Sequence, residues 1–122
     1  MAISKDKPAE ALDICDNLLD GDLELDGPSR SQLLTIKGRA LELLDRNFEA
    51  IDAFTQALNY DRTLANQAVV YFHMGRLFYG MGNLGQAQGA FTIALQNRLP
   101  SGLDVQAREM LMDIENQLND QR

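Results

Sequence analysis

The sequence predicts an all-α fold of antiparallel helix pairs, and three observations carry the prediction. Apolar residues recur at spacings of three and four through most of the chain, the period of a helix with one buried face. The segment Gly38–Leu58 recurs as Gly75–Leu95. No stretch reads as a convincing strand, and the breaks fall at Gly, Asn, Asp and Pro, residues that punctuate helices.

The repeat is specific. A displacement of 37 residues pairs Gly38 with Gly75, Arg39 with Arg76, Ala50 with Ala87, Ala53 with Ala90 and Phe54 with Phe91, and it continues through Thr55/Thr92, Ala57/Ala94 and Leu58/Leu95. The shared A-x-x-A-F-T-x-A-L has small residues where a second helix could approach.

Taken in order, a helix is expected over 8–20. Pro8 suits its first turn, Ala11, Leu12, Cys15, Leu18 and Leu19 line one face, and Gly21 suits its C-terminal cap. DGDLELDGP, from Asp20 to Pro28, reads as a polar loop. The first unit, 30–61, places Leu34, Gly38, Leu41 and Leu44 on one helix, breaks at Asp45-Arg46-Asn47, and resumes with Ala50, Phe54, Ala57 and Leu58. The second unit, 65–98, places Tyr71, Met74, Gly75 and Phe78 on its first helix and turns at Gly82-Asn83. It continues through Ala87, Ala90, Phe91, Ala94 and Leu95 until Pro100 stops it. A last helix, 102–119, buries Ala107, Met110, Leu111, Ile114 and Leu118. Its outer side, with Arg108, Asp113, Glu115, Asn116 and Asn119, suits a solvated cap.

The 122 residues, 45% hydrophobic and 24% charged, are expected to form one soluble domain over 1–122. No apolar run approaches the roughly 18–20 residues that span a bilayer, and the polar N-terminus lacks a secretory signal; a cytoplasmic protein without membrane insertion is expected. A net charge of −7 argues against nucleic-acid binding, which needs cations facing phosphates. One cysteine and one histidine offer no zinc cluster, and no metal or cofactor is expected.

Two motifs imitate chemistry. Tyr79–Ala87, YGMGNLGQA, contains G-x-G-x-x-G at Gly80, Gly82 and Gly85. A nucleotide-dependent enzyme would place it between strand and helix, with an acid about 20 residues on. Val69–Phe72 is β-prone and Asp104 lies near that distance. Against this, Tyr71, Met74, Gly75 and Phe78 keep helical periodicity, and Asp45-Arg46 fills the same place in the first unit with no glycine triplet. The motif is expected to be a helix corner and the chain not to be an enzyme. Asp22-x-Glu24-x-Asp26-Gly27 resembles the start of a calcium loop, but Leu33 stands where a bidentate glutamate is required. Cys15, on an apolar face, reads as core rather than as a nucleophile for His73.

With these residues in view, the chain resembles the tetratricopeptide repeat (TPR) family, whose pattern is W-x2-L-G-x2-Y, then A-x3-F-x2-A. The first unit supplies Leu34, Gly38, Leu41, Ala50, Phe54 and Ala57, and the second Tyr71, Gly75, Phe78, Ala87, Phe91 and Ala94. Lys37, where leucine is usual, Phe48 and Arg62 depart from the pattern. The resemblance implies a right-handed α-solenoid of about two units, with an N-terminal half-repeat and a C-terminal capping helix. It also implies a concave groove lined by the first helix of each unit. On the second unit that stripe is Val69, Phe72, Arg76 and Tyr79, with His73 at its edge. The first unit offers Gln32, Thr35, Arg39 and Glu42, and the last helix Val105, Arg108, Met112 and Glu115. The expected peptide-binding residues are therefore Arg39, Val69, Phe72, His73, Arg76, Tyr79 and Arg108. Arginine pairs with carboxylates through two parallel donors, so the expected partner is a protein or peptide with an acidic or C-terminal carboxylate group. The lysine and asparagine clamp that some members use for chaperone tails is not matched by Thr35 and Arg39. The alternative is a self-assembling scaffold, a homo-oligomer joined through exposed repeat surfaces such as Met110 and Met112.

Overall fold

The computed structural model describes residues 7–21 and 23–120. Asp22 of the acidic loop and the ends of the expected domain, 1–6 and 121–122, lie outside the described residues. Among those described are six α-helices and no strand: α1 (Pro8–Asp20), α2 (Gly27–Leu43), α3 (Asn47–Tyr60), α4 (Leu64–Gly80), α5 (Leu84–Gln96) and α6 (Leu103–Asp120). They form two compact units, Met1–Arg62 with α1–α3 and Thr63–Arg122 with α4–α6.

Helix ends obey the repeat as closely as helix faces do. Asp26 caps α2 by accepting the Ser29 amide at 2.8 Å, and Thr63, 37 residues on, caps α4 by accepting the Asn66 amide at 3.3 Å. Such caps satisfy amides that the first turn leaves without intrahelical partners. Because Asp26 caps and Pro28 tolerates the first turn, α2 starts at Gly27, earlier than the apolar pattern indicates.

The two corners are also the same structure. Asp45 (φ 59°) and Gly82 (φ 80°) occupy the left-handed region one residue beyond the C-caps of α2 and α4. The Arg46 amide donates to Leu41 O at 2.9 Å and the Asp45 amide to Glu42 O at 3.0 Å. In the second unit Asn83 donates to Phe78 O at 2.9 Å and Gly82 to Tyr79 O at 3.0 Å. This is the Schellman pattern, which closes a helix by returning two amides to its last turn.

Each corner folds a second helix onto the first. In unit one α2 packs on α3; Gly38 lies under the ring of Phe54, where a Cβ would meet Cε1 at 2.6 Å. In unit two α4 packs on α5, and Gly75 takes the same place under Phe91. The fully buried Ser31 donates its hydroxyl to Ala57 O at 2.8 Å, where the second unit has buried Ala68. Burial of an unsatisfied hydroxyl would be costly, and this bond removes the cost.

The flanking helices complete each unit. In unit one α1 packs on α2, burying Leu12 and Cys15 and joining Asp16 to Lys37 at 2.7 Å. Lys37, a cation among the apolar positions of α2, is thus held by an acid of α1. In unit two α6 packs on α5 and buries Ala107 and Ile114.

Candidate functional site

The stripe expected to contact a ligand lies mainly on α4. Val69 and His73 are half-buried and Arg76 is exposed, all three on the one helix. Phe72 takes a different position: it is 1% exposed, with its ring centroid 5.9 Å from that of Phe91 and 5.6 Å from that of His73. It belongs to the core of unit two and supports the stripe from beneath instead of lining it. The physical cause is the apolar character of α4 on nearly every side, which draws its aromatic residues inward when α5 packs against it.

Phe72 still bears on the surface above it. The guanidinium of Arg76 lies 6.0 Å from the Phe72 ring centroid, the outer reach of a cation–π contact. Arg76 is exposed and makes no ion pair among the described residues. Arg39, its counterpart in unit one, is half-buried on α2 and likewise makes no ion pair among the described residues.

Tyr79 is engaged within the unit. Its hydroxyl donates to the Asp113 carboxylate of α6, and Gln117 donates to the same oxygen at 2.7 Å. The hydrogen bond to Asp113, then burial, holds the Tyr79 phenol above its ordinary pKa, since an anionic phenolate beside a carboxylate is disfavoured. A ligand reaching this ring would compete with an existing bond.

Arg108 is not beside Tyr79. It donates to Asp104 at 3.1 Å, one turn back along α6. Five residues separate it from Asp113, about 140° around a helix of 3.6 residues per turn. The α6 carboxylate that bonds Tyr79 of α4 is Asp113, which the 37-residue displacement also aligns with Arg39 and Arg76. The spacing used to place Arg108 in the stripe was one residue short. Burial agrees, because Ala107 and Ile114 match Val70 and Leu77 only at the full displacement. Burial pushes the Asp104 carboxyl up, but the amides of Val105 and Gly102 and the Arg108 cation outweigh it and hold it below its usual range.

The glycine motif sits at the second corner. Gly80 ends α4, Gly82 carries the left-handed φ, and Gly85 lies in the first turn of α5. No strand precedes it, and the amides of Gly82, Asn83 and Leu84 already donate to backbone carbonyls. A phosphate cradle needs such amides aimed at its ligand.

Sequence reasoning passed over a cleft of about 210 Å³ in unit one, lined by Asp16, Lys37, Arg46 and Glu49 above Leu12 and Leu34. Its sequence signal is Lys37, a lone cation on an otherwise apolar helix side. The cleft adjoins Cys15, whose thiol burial pushes up; Asp16 adds to that shift and Lys37 opposes it. That places the thiol away from nucleophilic chemistry at neutral pH. Among the described residues no group of three His, Cys, Asp or Glu side chains could hold a metal ion, and no helix is long and apolar enough to cross a membrane. Compared with protein-family models, with curated proteins and with solved structures, the chain matches none.

Proposed function

We propose that this chain is a non-catalytic protein-interaction module of the tetratricopeptide-repeat type. Its paired helices belong to a right-handed solenoid, and a peptide segment of a partner lies along the exposed side of α4. The observation that carries the reading is Arg76. It is an exposed guanidinium, 6.0 Å from the centroid of the buried Phe72 ring and without an ion partner among the described residues, on a helix whose other face is packed. Val69 and His73 supply half-buried surface beside it. Such an arginine suits a carboxylate, because its fork matches both oxygens. The ligand is thus a peptide with an acidic side chain or C-terminal carboxylate next to an apolar residue.

The test is an array of short apolar peptides ending in free carboxylates, each matched by its C-terminal amide. Binding should fall on amidation and in Arg76→Glu, and persist in Arg108→Glu, whose side chain is taken by Asp104. Equal binding of acids and amides, or full retention by Arg76→Glu, would overturn the assignment.

A further inference from the structure

The chain carries two unmatched halves of its own helix hairpin. Helix α1 is of the α3 kind, displaced by 39 residues: Pro8 opens one and Asn47 the other, and Ala11 and Cys15 correspond to Ala50 and Phe54. Even the surface ion pair at the helix start recurs, as Lys7–Glu10 and Arg46–Glu49. In α3 the next two seam positions are Ala53 and Ala57, 2% and 0% exposed because α2 covers them. In α1 they are Ile14 and Leu18, 45% and 37% exposed.

Helix α6 shows the converse. The seam positions Ser31 and Gly38 of α2, or Ala68 and Gly75 of α4, become Val105 and Met112, which are 51% and 64% exposed. The same face that meets α3 or α5 in the two hairpins is therefore open on α6. Both open faces hold large apolar side chains where the closed hairpins hold small ones. A solvated end would be expected to carry polar residues there.

We propose that these faces pair between copies of the chain, α6 of one copy folding against α1 of the next as α2 folds against α3. The hairpin contacts assign the register. Ser31 touches Ala57, so Val105 meets Leu18; Gly38 lies under Phe54, so Met112 comes over the turn of α1 that holds Cys15, where Ile14 is the exposed side chain. The contact is head-to-tail, so it leaves one open face at each end and propagates. A two-helix junction is small among specific interfaces, and its rims carry Glu10 and Asp13 on one side and Glu109 and Glu115 on the other. Association is therefore weak and strengthens as salt screens the like charges. The inference rests on the repeat geometry and is independent of the peptide site at Arg76.

The test is molar mass by sedimentation from micromolar to near-millimolar chain, at low and high salt. Two variants are added, Ile14→Glu/Leu18→Glu and Val105→Glu/Met112→Glu. All four positions are exposed, and unchanged helical circular dichroism would show that the folds survive. Wild type should grow in mass with concentration and further with salt, each variant alone should stay monomeric, and an equimolar mixture should stop at a dimer. That complementation follows because the mixture retains one intact α6 face and one intact α1 face. A wild type that stays monomeric throughout, a variant that associates like wild type, a mixture that remains monomeric, or association that weakens with salt would each overturn the proposal. Should a variant lose helicity, Leu18→Cys/Val105→Cys serves instead: oxidation should give a ladder of linked chains, and its absence would overturn the proposal.

Discussion

Gly75 lies so close beneath the ring of Phe91 that a Cβ on it would stand 2.8 Å from Cδ1, and Gly38 repeats the relationship under Phe54 at 2.6 Å from Cε1. Both rings are fully buried, so neither can swing into solvent to make room. The two hairpins close because a helix without a side chain at one position admits an aromatic ring at another.

Gly38→Ala and Gly75→Ala should each destabilise the fold. Overpacking costs about 1–3 kcal/mol, against which alanine regains roughly 1 kcal/mol of helix propensity. Gly85→Ala, with open space around the new Cβ, should instead stabilise by about 0.5–1 kcal/mol. Urea unfolding of the three variants reads the signs, and a stabilising Gly75→Ala would contradict the close approach.

The corners predict an opposed pair. Asp45→Gly should stabilise by about 1 kcal/mol, because glycine takes the left-handed conformation without the penalty of a Cβ. Gly82→Ala should destabilise by about the same amount. Thermal unfolding checks both, and equal effects of one sign would mean the corners differ. The contrast between Gly82 and Gly85 also separates a helix corner from a phosphate loop, which would need both glycines.

Asp26 predicts a pH dependence. The Ser29 amide, and after it the Ser29 side chain, hold its carboxyl below the ordinary value of 3.8. A lowered folded-state pKa means that this contribution is fully present above the unfolded pKa and is lost as pH falls through the folded one. Asp26→Asn should therefore be less stable than wild type at neutral pH, with the gap narrowing below pH 3.8. Chemical unfolding across acid pH measures it; a gap that widens on acidification would be the wrong sign.

Cys15 is fully buried, and its thiol is raised mainly by that burial. Alkylation of the native chain near neutral pH should be slow and should accelerate in step with unfolding by denaturant, since the thiolate is the reactive form. Rapid stoichiometric labelling without denaturant would show that α1 detaches from α2.

The Tyr79–Asp113 bond predicts where unit two loosens. Tyr79→Phe keeps the ring and removes the donor, so amide exchange should rise in α6 while the α4–α5 hairpin stays protected. Uniform exchange through the unit would show that the bond does not hold α6.

Much of this protein is legible along the chain. The A-x-x-A-F-T-x-A-L repeat and the Asp45/Gly82 corners are local features, because periodicity and allowed φ are decided within a few residues. The caps could also be read there, although the apolar pattern missed the early start of α2. Site residues were less legible, since a helix shows which residues share a face but not how far that face turns toward a neighbour. Phe72 and Arg76 share a stripe in sequence, yet one is core and the other exposed. Arg108 appeared in register with Phe72, as part of one stripe with Arg76, yet Asp113 is the α6 residue bonded to Tyr79.

The sequence by itself determined six helices' worth of amphipathic pattern and the two-fold repetition, because each depends on short-range spacing. Tertiary structure alone decided which aromatic rings are interior, which carboxylate Tyr79 meets, and that Ile14, Leu18, Val105 and Met112 stand open. Those outcomes depend on the rotation of each helix about its own axis and on the presence of a covering helix, and packing sets both.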